Sequence, residues 1–561
     1  MESKLLDLLS FFPGTPRPIQ VDVLKEVQKA INTGYKYIMI NAPTGTGKSY
    51  IATTIARSQE TSAILTSTKD LQEQYADDFR FMYTVKGKQN FQCLQLLEHQ
   101  KHASSYERKH LTCEKGRCFD PELEEGKRWC KYHPNPRDFT VKHKNTLSES
   151  VVYEGEEEKC HYFLQKYKGL AASHTIFNYA AYLSLLLYSN EPPERKVVVC
   201  DEAHELENHI VSFFGIEVRK AWADLVNVEF PDYGKDLSKW IRYLQLLVNE
   251  YNEFYQECDA AVRDKQETEV YNSSNLSKAE SRIKTMSLVL EETSKNVNNY
   301  CVANIQGENG RPRQVVIQPI EIAQQTAELF KHSDLYIFMS ATIENDVFCK
   351  TVGIEPEKCA FIEIKHSPFP RENRIVNFLN IAYLNKDTPS TDIAKIINTV
   401  DQLMTKHCNE KGLILTTSYQ QLYQIRQGLS FDNSRRLIET GNGEDSREEI
   451  IKAHKRSTEP TVLLSPSLWN GVDLKDDTSR FQIIVKTPYL DLGDGRILAK
   501  RNRDERWYGV QSVMKLVQGC GRSVRHENDY AVTYVLDANA LSLIKRMWNS
   551  VPAWFREVIR E

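Results

Sequence analysis

The sequence predicts an α/β protein with two doubly wound parallel-sheet domains, the first of which carries two insertions. Three observations predict this. Short, nearly unbroken apolar runs alternate with helical patterns, as expected of strands buried on both faces of a parallel sheet. The runs fall into two sets, one before residue 350 and one after 410, which is the grouping of two separate sheets. A glycine-rich loop follows the first run directly, at the point where a parallel sheet hands over to a helix. The 561 residues suffice for both domains and the insertions, since the length corresponds to three or four units of about 150 residues.

In chain order, the strands of the first domain are expected at residues 37–40, 63–65, 197–200 and 336–339, and those of the second at 413–415, 462–464, 483–485 and 532–536. Ser367-Pro368-Phe369-Pro370 marks the crossover, because paired prolines disfavour both helix and central strand. Two stretches break the alternation. The first, residues 86–168, is rich in charge and cysteine. The second, residues 209–330, looks helical: Leu237, Trp240, Ile241, Leu244, Val248, Tyr251 and Phe254 form one apolar helix face. Ile283, Met286, Val289 and Leu290 suggest a second helix, and Gly307, Gly310 and Pro312 are expected to end the helical part.

Seventy-two Lys and Arg against 76 Asp and Glu leave a formal charge of −4, which excludes a generally basic nucleic-acid-binding coat and leaves only local patches. Apolar stretches such as residues 179–183 and 335–339 fall far short of the ~18 residues a membrane span needs. Residues 1–12 carry Asp7 inside their apolar run and lack a small-residue cleavage site, so no signal peptide and a cytoplasmic location are expected. Twelve cysteines are too few for a disulfide scaffold, yet Cys93, Cys113, Cys118, Cys130 and Cys160 crowd into 68 residues. In a reducing compartment that crowding suggests metal or iron–sulfur ligation. Four thiolates suit either a cluster or zinc, and spacing alone does not separate them.

Ala42-Pro43-Thr44-Gly45-Thr46-Gly47-Lys48-Ser49 is a phosphate-binding loop with Ala at its first glycine position. Its backbone N–H groups form an anion nest, Lys48 reaches the β- and γ-phosphates of a nucleotide, and Ser49 can ligate Mg²⁺. Asp201-Glu202-Ala203-His204 follows the run at 197–200. There Asp201 would hold Mg²⁺ and Glu202 would polarise an attacking water. Further on come Ser340-Ala341-Thr342, Gly471-Val472-Asp473 and Gln518-Gly519-Cys520-Gly521-Arg522-Ser523-Val524-Arg525. The i, i+4, i+7 spacing of Gln518, Arg522 and Arg525 predicts one helix side, from which the arginines could reach across a domain interface to a γ-phosphate.

This order of motifs resembles that of superfamily 2 helicases, and the cysteine-rich insert resembles that of their XPD/DinG iron–sulfur group. Thr66-Ser67-Thr68-Lys69-Asp70-Leu71-Gln72-Glu73-Gln74-Tyr75, Lys86-Gly87-Lys88-Gln89-Asn90-Phe91-Gln92-Cys93, Cys160-His161-Tyr162-Phe163 and Ser367-Pro368-Phe369-Pro370 add to the likeness, which runs from Gln20 to Asp537. One departure is Asn470, where the group usually has Glu.

The resemblance implies an ATP-dependent DNA helicase with two RecA-like motor domains, moving 5′ to 3′ on single-stranded DNA in repair or in resolving DNA structures. Motor domain 1 would comprise residues 1–85, 169–208 and 331–370, interrupted by an iron–sulfur domain at 86–168 and a helical arch at 209–330. Motor domain 2 would comprise 371–561. ATP would be bound by Arg17, Gln20, Thr44, Gly45, Thr46, Gly47, Lys48, Ser49 and Asp473, with Lys48, Asp201, Glu202, Gln518, Arg522 and Arg525 acting in hydrolysis and Ser49 and Asp201 on Mg²⁺. Gln20 and Arg17 would lie near adenine, and Thr66, Ser67 and Thr68 would meet the DNA backbone. Lys115, Arg117, Lys127, Arg128 and Lys131, with Trp129, Tyr132 and Phe163, could form a strand-separating surface. By family context Cys93, Cys118, Cys130 and Cys160 would hold a [4Fe–4S] cluster and leave Cys113 spare. The expected partners are single-stranded, forked or duplex DNA and DNA-repair proteins, bound by a monomer without membrane contact. Two other readings are a DNA-stimulated ATPase that remodels protein–DNA complexes and a zinc-stabilised scaffold with a vestigial ATPase.

Overall fold

A computed structural model describes residues 7–99, 104, 108–114, 116, 130–134, 158–188, 194–264, 266–308, 311–440, 447–469 and 472–561. Strands β1 (Tyr37–Asn41), β2 (Ser62–Thr66), β3 (Tyr83–Val85), β4 (His174–Asn178) and β5 (Arg195–Asp201) begin the first sheet. The chain then leaves it for β6 (Ile216–Arg219), β7 (Tyr300–Glu308) and β8 (Arg311–Pro319), and returns for β9 (Ser333–Ser340) and β10 (Cys359–Glu363). The first sheet is parallel throughout, in the order β10-β1-β9-β5-β2-β4-β3. Every residue of β2 is buried, as its unbroken apolar pattern requires.

The second sheet contains β11 (Val376–Ala382), β12 (Gly412–Leu415), β13 (Leu437–Glu439), β14 (Val462–Ser465), β15 (Phe481–Ile484), β16 (Val532–Asp537) and β17 (Ile559–Arg560). It too is parallel, in the order β13-β14-β12-β15-β16-β11-β17. Ser367 to Pro370 lie between β10 and β11, in the connection from one sheet to the other. All eight expected strands form. β4 has no counterpart among the expected strands, because Ile176 and Phe177 are its only apolar residues and stand between polar His174, Thr175 and Asn178.

The segment 209–330 is not wholly helical. Its expected helices form as Leu237–Arg263 and Ser273–Lys295, with Trp240, Leu244, Tyr251, Met286 and Val289 in their shared core. However, β6, β8 and β7 make a three-stranded antiparallel sheet beneath them. Gly307 and Pro312 pair across the β7–β8 hairpin and do not end a helix; Gly310 lies outside the described residues. Val315 and Ile317 are buried on alternate positions of β8, a period-two pattern hidden beside the stronger helical one. No helix among the described residues is long and apolar enough to cross a membrane.

Candidate active site

The loop 42–47 joins β1 to the helix Lys48–Arg57. Two glycines shape it. Gly45 (φ +87°) and Gly47 (φ +76°) adopt left-handed backbone conformations. A Cβ on Gly45 would lie 2.0 Å from the Phe369 ring, and one on Gly47 would lie 2.3 Å from Gln20 Nε2. Gln20 is buried, donates to the Thr46 carbonyl (3.0 Å) and accepts from the Arg17 amide (2.9 Å), while Arg17 Nη1 donates to the Gly45 carbonyl (3.0 Å). Arg17 and Gln20 thus brace the loop from behind. Thr46 turns its hydroxyl inward onto the Pro43 carbonyl (2.9 Å), and its amide donates to the same oxygen (3.4 Å), which holds the loop in shape. Thr44 and Lys48 face the cleft, and half-buried Ser49 follows on the first helical turn.

β5 ends in Asp201, which is buried and engaged at both oxygens: Oδ2 accepts from the Tyr75 hydroxyl (2.7 Å) and Oδ1 from the Glu202 amide (2.9 Å). Each oxygen keeps a further lone pair, so the carboxylate fits Mg²⁺ ligation. Burial pushes the Asp201 carboxyl up, with neighbouring Glu202 adding to the effect, to about 6. Glu202 takes a left-handed backbone (φ +49°), a strain of roughly 1–3 kcal/mol that functional turns retain. Its carboxylate lies 3.8 Å from Lys48 Nζ. Burial opposes its charge, but Lys48, His204 and Arg522 outweigh that and bring it down to about 2. His204, between Glu202 (3.3 Å) and Glu205 (3.4 Å), is raised to about 9 although burial works against its charge. The His204 ring also meets Ser340 Oγ (2.8 Å), which accepts from the Thr342 amide (3.1 Å).

The second domain faces this wall. Gln518, on the last turn of the helix Glu505–Cys520, donates to Thr342 Oγ1 at 2.6 Å. Arg522 and Arg525 do not share its helix face, because the helix ends at Cys520. Gly519 packs against Trp469, where a Cβ would come within 2.7 Å of the ring, and Gly521 follows as the cap. Arg522 Nε returns to the Gln518 carbonyl (2.8 Å), while Arg525 pairs with Asp473 (2.8 Å) and donates to the Val472 carbonyl (2.9 Å). Burial and the nearby Arg525 lower the Arg522 guanidinium to about 10, so it stays charged at neutral pH. Lys48 and Glu202 therefore line one side of a cleft of about 400 Å³, with Gln518, Arg522 and Arg525 on the other. Asp473 reaches it through Arg525; Asn470 and Gly471 lie outside the described residues.

Thr66 does not face a DNA strand. It is fully buried, and its hydroxyl approaches the Phe177 and Thr68 carbonyls at 3.4 Å. Ser67 and Thr68 border the cleft, and Thr68 also caps the helix Lys69–Asp78. Tyr75 donates to Asp201 and the Phe369 ring lies against Gly45, so both border the site although their motifs imply no role for them. Tyr75 is buried one turn after buried Gln72, and that i, i+3 pair was the available signal.

Cys113 is not set apart from the other thiols. Cys93, Cys113 and Cys160 are buried together against Phe163, with Cys113 Sγ 4.0 Å from Cys160 Sγ. The cause is a β-bridge between Gln92 and Thr112: Cys93 N donates to the Leu111 carbonyl and Cys113 N to the Phe91 carbonyl, both at 2.8 Å. Half-buried Cys130 lies close enough that Cys160 and Cys93 influence its thiol. Hydrogen bonding with Cys113 holds the Cys93 and Cys160 thiols below the ordinary range, against burial. Three buried thiols with half-buried Cys130 nearby are soft donors of the kind that an iron–sulfur or zinc centre uses. Cys118 lies outside the described residues, as do Lys115, Arg117, Lys127, Arg128 and Trp129. Lys131 and Tyr132, of the expected strand-separating surface, both bond Glu98.

Residues 14–231 match a family model described as the res subunit of type III restriction enzymes, and residues 401–558 match one described as a helicase C-terminal domain. The chain is 24% identical to the ATP-dependent DNA helicase YoaA of Haemophilus influenzae, over 93% of this chain and 91% of that protein. It is also 24% identical to the 3′-5′ exonuclease DinG of Bacillus subtilis, over 40% of this chain and 26% of that protein. A solved XPD helicase structure superposes with a TM-score of 0.63 at 15% identity, covering 95% of this chain and 98% of that one.

Proposed function

We propose that the chain is an ATP-driven DNA helicase of the XPD/DinG-like group of superfamily 2, moving 5′ to 3′ on single-stranded DNA and separating duplexes in repair or in resolving DNA structures. The observation that carries the reading is the cleft itself. Lys48 and Glu202 of one parallel-sheet domain face Arg522 of the other.

The loop amides and Lys48 cradle the phosphates of ATP, while Ser49 and Asp201 would hold Mg²⁺, which supplies charge neutralisation when bound. Glu202, ionised at neutral pH, accepts a hydrogen bond from the attacking water and orients it. Arg522 and Arg525 meet the γ-phosphate fully only when the cleft closes, so their charge acts on the transition state more than on the ground state. Closing and reopening then shift the two domains along the DNA. In the same reading Cys93, Cys113, Cys130 and Cys160 hold a [4Fe–4S] cluster, whose contribution is to cross-link the segments of the insert that carry them.

The test compares forked duplexes bearing a 5′ or a 3′ single-stranded tail, beside DNA-stimulated ATP turnover. ATP-dependent unwinding of the 5′-tailed fork is expected. Turnover without strand separation would favour the protein–DNA remodeller, and unwinding of only the 3′-tailed fork would overturn the polarity.

A further inference from the structure

Just beyond His204 the chain enters the helix Leu206–Phe214, whose Glu207 points away from the cleft into a second polar centre. Glu207 Oε1 accepts from Lys500 Nζ (2.5 Å) and from Arg496 Nη2, and Oε2 accepts from the Trp507 indole N–H (3.0 Å). All three partners stand on second-domain helices, Gly495–Arg503 and Glu505–Cys520. The side chains of Glu207, Arg496 and Lys500 are 9%, 5% and 2% exposed. Burial alone would push the Glu207 carboxyl up, but Lys500 and Arg496 hold it below the ordinary range, so the cluster is ionic.

The same helix also grips the base of the second insertion. Arg496 Nε donates to the Pro319 carbonyl (2.9 Å), Lys500 meets Glu321 (3.3 Å) and Arg503 donates to the Asn298 carbonyl (2.9 Å). Gly495 lies so close to β7 that a Cβ would come within 2.4 Å of the Val302 carbonyl oxygen. First domain, insertion and second domain therefore share one buried joint.

The joint and the cleft differ in what opening them would cost. Separating Glu207 from its partners would strand unlike charges in an apolar interior, which is strongly unfavourable. Across the cleft, the arginines and Glu202 border open space, so water can solvate both walls when they part.

Resting on the helicase reading above, we propose that Glu207 is a positioning residue: it pins a pivot that stays shut while the cleft opens and closes, and so fixes the path by which Arg522 and Arg525 approach the nucleotide. The insertion, clamped at its base to the second domain, then keeps a fixed relation to the pivot throughout the cycle.

The experiment uses the full chain with Glu207→Gln, Lys500→Met, their combination and the milder Trp507→Phe. ATP affinity, DNA-stimulated kcat and thermal melting are measured for each. Glu207→Gln and Lys500→Met are each expected to lower kcat about tenfold with ATP affinity within about twofold of wild type. The double variant should be no worse than the poorer single one, because both remove the same joint. Trp507→Phe, which removes only one donor, should lower kcat about threefold and covers the case in which the charge variants do not fold. Wild-type kcat with only a lower melting temperature, or independent losses that multiply in the double variant, would overturn the pivot. If wild type itself showed no DNA-stimulated turnover, the helicase reading would fall first, so the two failures are distinguishable.

Discussion

Lys48 Nζ and the Glu202 carboxylate lie 3.8 Å apart, so each partly neutralises the other. Lys48→Ala removes a charge-assisted contact worth roughly 1.5–3 kcal/mol, so ATP should bind about 10- to 150-fold more weakly. Glu202→Gln should bind ATP normally and leave it unhydrolysed. Nucleotide titration beside turnover separates the two, and normal turnover in either variant would remove the site assignment. His204 supplies a pH test. Its pKa is raised to about 9 by Glu202 and Glu205 against the opposing effect of burial, whereas an unfolded His titrates near 6.5. Between those values the folded chain binds more protons than the unfolded one, so stability is fully present below about 6.5 and declines as pH rises toward about 9. Thermal melts across that window should show the decline, and His204→Asn should flatten it. An unchanged slope in the variant would assign it to other groups.

At the scale of elements, the cysteine insert depends on a β-bridge that brings Cys93 and Cys113 together and on the helix His161–Ala171 that presents Cys160 at its N-terminus. A four-thiol centre that loses one ligand exposes iron to water. Substituting Cys93, Cys113, Cys130 or Cys160 by Ser should therefore bleach the brown colour of an anaerobic preparation and abolish unwinding, with ATP hydrolysis partly surviving. Iron and zinc analysis beside the visible spectrum reads this directly. A coloured Cys113→Ser protein with a bleached Cys118→Ser protein would exchange the two assignments, and zinc without iron would replace the cluster.

At the scale of the whole molecule, turnover requires the second domain to bring its arginines to the first. Arg522→Lys and Arg525→Lys keep the charge but lose the planar fork. Each should reduce kcat by one to two orders of magnitude, roughly 1.4–3 kcal/mol of transition-state stabilisation, with ATP affinity nearly unchanged. Intact turnover in both would make these residues structural, serving Gln518 and Asp473 within their own domain.

The two parallel sheets, the phosphate loop and the acidic strand end are legible in the amino-acid order, because each is written in neighbouring residues: β1 runs into the loop that holds Gly45 and Lys48, and β5 runs into Asp201 and Glu202. Local patterns of burial and turn chemistry are enough for these. The meeting of Cys93 with Cys113 comes from the tertiary structure, since a bridge between Gln92 and Thr112 has no mark in the spacing of thiols. The tertiary structure also places Arg522 and Arg525 past the end of the helix Glu505–Cys520, which Gly521 caps. Glu207 is the clearest case. Its partners lie 289, 293 and 300 residues away, and no local periodicity records which distant charge fills a buried gap.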